Sequence, residues 1–234
     1  MCGIFGSREL NTFEKLYIKN SERGNFSGGS LYVAPGGDMY LKKWEGIKDP
    51  GYMSGEYVWA HEYTLYMGHT QAPTSIERDY NPVTTHPFEH GHFCIAHNGV
   101  LENHEMLREK YLKNAKGICK NNRFDVSKNK VDSAVIPALL DELYVGSDIH
   151  AINEAFSLIK GTFACWIYSK HTKSSYLVRS GSTLFGDPLN SNFSSVKYTG
   201  LTEDIIPEGI IFCITLEGLT EVGKFNNNSS FFIL

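Results

Sequence analysis

Cys2 stands directly behind the initiating methionine, in "MCGIFG". Methionine is ordinarily clipped when the second residue is small, and clipping would leave Cys2 with a thiol and an α-amino group on one residue. The thiolate is the nucleophilic form of cysteine, with an ordinary pKa near 8.5. An α-amine, at about 7.7–8.0, is neutral often enough at pH 7–8 to take that proton, directly or through one water. Nucleophiles of this kind use the N-terminal amine as their general base. A small second residue with no role is the competing reading of the position alone.

Acyl transfer by such a thiol also needs hydrogen-bond donors aimed at the developing oxyanion. "IAHNGVLENHEMLR" offers Asn98 and Gly99, a side-chain amide and a backbone N–H, which the pattern places in a turn after the short buried strand "FCIAHNG". A plain type I′ turn is the competing use of Asn-Gly. His86, His90 and His92 in "HPFEHGH" read as polar loop histidines. No metal is expected there, because no cysteine or carboxylate partner has ligand spacing. The other cysteines (Cys94, Cys119, Cys165, Cys213) bring the number to five, never in a C-x-x-C pair. That argues against a disulfide framework and against a zinc site.

These residues must be held by elements that are mostly strands. "SLYVAPGGDMYLKKW" reads as a hairpin turning at Pro35-Gly36-Gly37, "TFACWIYSKHTKSSYLVRS" as a second and "GIIFCITLEGLTEVGKF" as a third. Helices are expected from Asn103 to about Asn114, from Asp132 to about Tyr144, and from Ile149 to Lys160. Asn103 and Asp132 would serve as caps, Pro137 fits only a first turn, and Gly161 would close the last helix in a left-handed conformation. Hairpins with helices grouped between them suggest an α+β layered fold, not an alternating βαβ sheet. The basic stretch Lys113–Lys130 reads as a solvated loop, with a partner surface as the alternative.

The 234 residues, 41% hydrophobic and 21% charged, are ordinary for a globular chain with its own core. A net charge of −4 gives no basic field for nucleic acid. No apolar run approaches the roughly 20 residues of a membrane span, and no signal peptide opens the chain, so a cytoplasmic protein is expected. Without a repeat or linker, residues 1–234 are expected to form one domain.

The ordered motifs "MCGIFG", "RGNFSGG" (Arg23–Gly29), "GHTQAPT" (Gly68–Thr74), "THPF" (Thr85–Phe88), "AHNGVLENHEMLRE" and "DSAVI" (Asp132–Ile136) resemble the class II glutamine amidotransferase domain. That domain is a member of the N-terminal nucleophile hydrolases, and the chain is similar to the glutaminase halves of glucosamine-6-phosphate synthase and amidophosphoribosyltransferase. The resemblance covers nearly the whole chain and thins from about Phe185 onward. It implies a four-layer αββα sandwich of two antiparallel sheets. It further implies that Cys2 attacks the glutamine side-chain amide, that Asn98 and Gly99 form the oxyanion hole, and that Arg23 supports the N-terminal cysteine. Asp132 would bind the substrate's α-ammonium, although a helix N-cap explains an aspartate there equally well. Thr74 would line the pocket for the substrate carboxylate. No cofactor is implied.

Two positions depart from the family pattern. The "GHTR" arginine that clamps the glutamine α-carboxylate is Gln71 here, and the aspartate of the "RGPDS" loop is Phe26. A neutral Gln71 weakens the case for glutamine as substrate unless another cation serves, with Arg78, Arg123 and Arg179 as candidates. The leading expectation is a glutaminase subunit that passes ammonia to a separate synthase partner, since no synthase domain is encoded in these residues. The alternatives are an N-terminal cysteine amidohydrolase acting on another amide, and a non-catalytic regulatory module of the same fold.

Overall fold

The structure is a computed structural model that describes residues 2–46, 48–53, 62–72, 80–112 and 131–226. In chain order the first half runs β1 (Gly3–Ser7), α1 (Leu10–Ser21), β2 (Ser27–Val33), β3 (Met39–Glu45), α2 (Pro50–Met53), β4 (Leu65–Gln71), β5 (Phe88–His90), β6 (Phe93–Leu101) and α3 (His104–Tyr111). A short 3-10 turn, Asp132–Ala134, leads into α4 (Val135–Glu142) and α5 (Asp148–Leu158). The hairpin β7 (Gly161–Ser169) and β8 (Ser174–Ser180) follows, then the short β9 (Phe185–Asp187), β10 (Asn192–Ser194) and β11 (Asp204–Ile205). The hairpin β12 (Ile210–Thr215) and β13 (Gly218–Lys224) completes the described chain.

The strands form two antiparallel sheets, ordered β11-β9-β10-β1-β4-β2-β3 and β13-β12-β8-β7-β6-β5. Alternation of side chains sorts each strand between two cores. Ile4, Leu31, Met67, Cys94, Ala96, Ala164, Trp166 and Leu177 fill the space between the sheets. Phe5, Tyr32 and Tyr66 point the other way and pack with Phe13, Leu16 and Tyr17 of α1. On the far side, Phe93, Ile95, Phe163, Cys165 and Val178 pack against α3, α4 and α5. The layers are therefore helix, sheet, sheet, helix, the α+β sandwich expected from the sequence. Trp166 links the sheets directly, its indole N–H donating to the Gly68 carbonyl at 3.0 Å. Among the described residues no helix is long and apolar enough to cross a membrane.

The three hairpins fall where the sequence places them. Several local expectations need correction. Asn98 and Gly99 are not in a turn: β6 continues to Leu101, pairing Asn98 with Ala164 and Gly99 with Phe163. Gly161 does not cap a helix; α5 ends at Leu158 with an extended Ile159, and Gly161 opens β7. The helix expected from Asp132 begins as a 3-10 turn with no side-chain cap, so Pro137 lies in the first turn of α4, where its missing N–H costs nothing. His86 is not a polar loop residue; it is 2% exposed and stacks on His69 at 4.0 Å. Helix α1 has a weak signal in the sequence, because two of its five buried residues, Thr12 and Asn20, are polar and break the apolar stripe.

Candidate functional site

Cys2 lies at the open end of β1, next to Gly3, which pairs with Thr70 of β4. It is half-buried and carries no disulfide. Three groups hold this end of the strand. The Arg23 guanidinium donates through Nε to the Cys2 carbonyl at 3.0 Å and through Nη1 to the Ser195 carbonyl at 3.1 Å. Ser195 pairs with Ile4 in both directions, its N–H donating to the Ile4 carbonyl at 2.8 Å and its Oγ accepting the Ile4 N–H at 3.0 Å. Asn20 packs under Gly3, where an added Cβ would come within 2.6 Å of its Oδ1. Asn20 is itself fixed by donating to Leu16 O and Ser194 Oγ, each at 2.8 Å. Burial lowers the Arg23 pKa, and the charge of Cys2 works against that shift.

Asn98 reaches the same place from the other sheet. Its Nδ2 donates to Ser195 Oγ at 3.2 Å, so one hydroxyl joins the nucleophile's strand to the amide. Gly99 is next to it, with φ +148°. A Cβ at Gly99 would meet the Thr162 carbonyl at 2.0 Å and His97 Nε2 at 2.9 Å, so only glycine fits.

The outer edge of β6 has a strand partner only along Phe93–Ile95. Further along, a side chain takes over. Leu101 N–H donates to Asp132 Oδ2 at 3.0 Å. Asp132 Oδ1 accepts from the Ser133 N–H at 2.8 Å. Asp132 is thus no N-cap; it closes a strand edge with its carboxylate. Those bonds leave capacity on its oxygens for a further donor. Burial works to raise the Asp132 pKa, but His97 and the donors from Leu101 and Ser133 outweigh it, and the carboxyl ends below its ordinary value.

His97 runs beneath this arrangement. Nε2 faces the Thr162 carbonyl at 3.3 Å, an acceptor only, which assigns the proton to Nε2 and leaves Nδ1 to accept from Ser133 Oγ at 2.7 Å. Burial lowers the His97 pKa, opposed by Asp132 and the Thr162 carbonyl. The ring that backs Gly99 is therefore tied through Ser133 to Asp132.

Gln71 ends β4 and is fully buried, its Oε1 accepting from Ser27 Oγ at 3.3 Å. Ser27 Oγ accepts in turn from Thr85 Oγ1 at 2.9 Å. Phe26 is 51% exposed and packs on Tyr80, ring centroids 5.7 Å apart. Thr74, Arg78 and Arg123 lie outside the described residues. Arg179 is 7% exposed and pairs with Glu208. It sits in register with Ala164 and hence with Asn98, on the same face two strands away.

The structure therefore brings Cys2, Arg23, Asn98 and Gly99 to one end of the two sheets, with Asp132 tied to the same stretch of β6. Sequence reasoning missed Ser195, His97 and Ser133. His97 and Ser133 adjoin motif residues, in "AHNG" and "DSAVI", whereas Ser195 falls where the family pattern thins. The remaining described cysteines are unsuited to nucleophilic work: burial raises the thiol pKa of Cys94, Cys165 and Cys213.

The family described as "Glutamine amidotransferase domain" matches residues 69–185, half the chain. Among curated proteins, the glutamine–fructose-6-phosphate aminotransferase (isomerizing) of Listeria monocytogenes is 28% identical over an alignment covering 94% of this chain and 36% of the relative. The Bordetella pertussis protein of the same name is 27% identical over 88% of this chain and 34% of its own length. The chain thus spans about a third of the curated relatives it matches. Among solved structures, the glutamine phosphoribosylpyrophosphate amidotransferase of B. subtilis, complexed with ADP and GMP, superposes with TM-score 0.72 at 17% identity. That match covers 97% of this chain and 50% of that one. A glutamine aminotransferase class-II domain protein from Silicibacter pomeroyi gives TM-score 0.55 at 13% identity, covering 96% and 99%.

Proposed function

Since the chain belongs to the glutamine amidotransferase domain family, we propose that it hydrolyses the side-chain amide of glutamine through Cys2, once Met1 is removed. The observation that carries this reading is the shared Ser195 hydroxyl, which ties the strand of Cys2 to the Asn98 amide. The α-amine of Cys2 takes the thiol proton, and the thiolate attacks the amide carbon. The Asn98 Nδ2 and Gly99 N–H groups receive the charge that develops on the carbonyl oxygen. Collapse of the tetrahedral adduct expels ammonia, protonated by the same amine, and leaves a thioester. Water, deprotonated by that amine, then attacks the thioester and releases glutamate and the thiol.

Asp132 is proposed to receive the α-ammonium, for which its ionised state and remaining acceptor capacity suit it. Arg23 holds the Cys2 carbonyl and orients the nucleophile without touching substrate. Thr74 is proposed to line the α-carboxylate pocket. The Listeria relative's name describes an aminotransfer from glutamine to fructose-6-phosphate. By analogy the ammonia made here passes to a synthase partner in the cytoplasm, and residues 1–234 act as one domain. The test is release of ammonia from glutamine by protein whose terminus is verified by mass spectrometry. Protein starting at Cys2 should be active, and both Cys2→Ala and protein retaining Met1 inactive; full activity with Met1 in place would refute the mechanism.

A second reading, hydrolysis of a different amide, is favoured by one observation. The residue in the place of the carboxylate-clamping arginine is a neutral, buried glutamine whose carbonyl already accepts from Ser27. Labelling of Cys2 by a glutamine-like electrophile, without ammonia release from glutamine, would select that reading.

A further inference from the structure

The three histidines that crowd together in sequence at 86, 90 and 92 separate in the fold. His86 is buried against His69, while His92 emerges at the turn between β5 and β6. There it meets Asp141 of α4 and His171 of the turn between β7 and β8, with one donor atom from each within 4.8 Å of the others. We propose that His92, Asp141 and His171 bind a divalent transition ion of the zinc class, at a site remote from Cys2.

The donor set selects the ion. Two imidazoles and one carboxylate suit zinc and its neighbours, whereas calcium and magnesium take all-oxygen sites. Distances agree for the first pair. His92 Nδ1 lies 3.1 Å from Asp141 Oδ1, and two ligands about 2.0–2.2 Å from a tetrahedral zinc stand roughly 3.3–3.5 Å apart. The carboxylate is already fixed in that position. Its Oδ1 also accepts the His92 N–H at 3.1 Å. Gly91, at φ +53°, brings the backbone so close that a Cβ would fall 2.2 Å from Asp141 Oδ2.

His171 completes the set with a small movement. It lies between Tyr144, at 4.0 Å and 5° between planes, and His92, at 3.7 Å and 28°. Two imidazoles on one tetrahedral ion have centroids about 5 Å apart, so the exposed His171 ring must slide by about 1.5 Å along Tyr144. Three protein ligands leave the fourth position for solvent or another donor. The cluster precedes Phe93, and Asn98 lies six residues along from His92, about 20 Å at strand spacing.

Cys2 with a free amine is itself a five-membered chelate for zinc, so the test must separate the two sites. Full-length Cys2→Ser protein is titrated with Zn2+ by calorimetry and with Co2+, read by the visible bands of a tetrahedral site. One equivalent should bind. His92→Ala, Asp141→Asn and His171→Ala, each made in the Cys2→Ser chain, should each weaken binding by more than the roughly 10–100-fold that loss of an outer contact costs. In the native chain, His171→Ala should leave ammonia release unchanged. Binding that disappears with Cys2→Ser, or survives all three cluster substitutions, would overturn the proposal, as would no uptake by any form.

Discussion

Replacing Asn98 and replacing Ser195 should have very different effects, although the two are joined by one hydrogen bond. Asn98→Ala removes a donor proposed to act on the transition state, where losing one such group lowers kcat by about 10²–10³, or roughly 2.7–4 kcal/mol. Its ground-state cost is small, because a neutral hydrogen bond such as Asn98 Nδ2 to Ser195 Oγ contributes about 0.5–1.5 kcal/mol. KM should therefore barely move. Ser195→Ala removes the acceptor from two buried donors, the Ile4 N–H and Asn98 Nδ2, each left unsatisfied at about 1–3 kcal/mol. That substitution should lower the midpoint of thermal unfolding. It leaves the Asn98 amide present but no longer oriented, so kcat should fall about tenfold, the equivalent of one neutral hydrogen bond. The assay is steady-state ammonia release with kcat and KM separated, beside thermal melts of the same preparations. If Ser195→Ala cost as much in kcat as Asn98→Ala, or if Asn98→Ala changed KM alone, the oxyanion assignment would fail.

Gln71→Arg places a longer, charged side chain in a position with no exposure. Overpacking of about 1–3 kcal/mol should lower the melting temperature without lowering KM for glutamine; a lower KM at unchanged stability would show instead that the pocket lacks only a cation. Acidification should destabilise the protein through His97. Its folded pKa lies below the ordinary 6.5, so the unfolded chain binds the extra proton and stability falls as pH drops below about 6.5. The Asp132 carboxyl, also held low, adds stability above its ordinary 3.8 that is lost as pH falls through the folded value. Melting temperature against pH for native and His97→Gln protein checks this, and equal slopes for the two would contradict it.

Much of this site is legible without a structure, and the failures have physical causes. Cys2, Asn98 and Gly99 are singled out because their chemistry is tied to residue type and position, and the fold brings them to one end of the sheets. Two of the three hairpins carry glycine at positive φ at their turns, Gly37 at +80° and Gly218 at +124°, whereas the β7–β8 turn has Lys173 at +57° and is found from its flanking strands. Asn-Gly misleads at 98–99 because the pair satisfies two different constraints. A tight turn favours it, and so does a strand in which Thr162 and His97 leave no room for a Cβ. Ser195 is invisible from sequence, since a lone serine acquires its role only when β10 docks on β1. The linkage of His97 to Asp132 depends on Ser133 in the same way. The histidine run shows the opposite error: proximity along the chain suggests one group, while the fold sends His86 inward and His92 to the surface.

Strand β1 sits between β4 and β10, and this dictates an order of events during synthesis. The first residues made wait longest to be enclosed, because the slot for β1 lacks one wall until residues 192–195 have left the ribosome. At about 5–20 residues per second, that leaves roughly 10–40 s in which the N-terminus is held on one side at most. Throughout that interval, the Cys2 thiol lacks Ser195 and the Asn98 contact that runs through it.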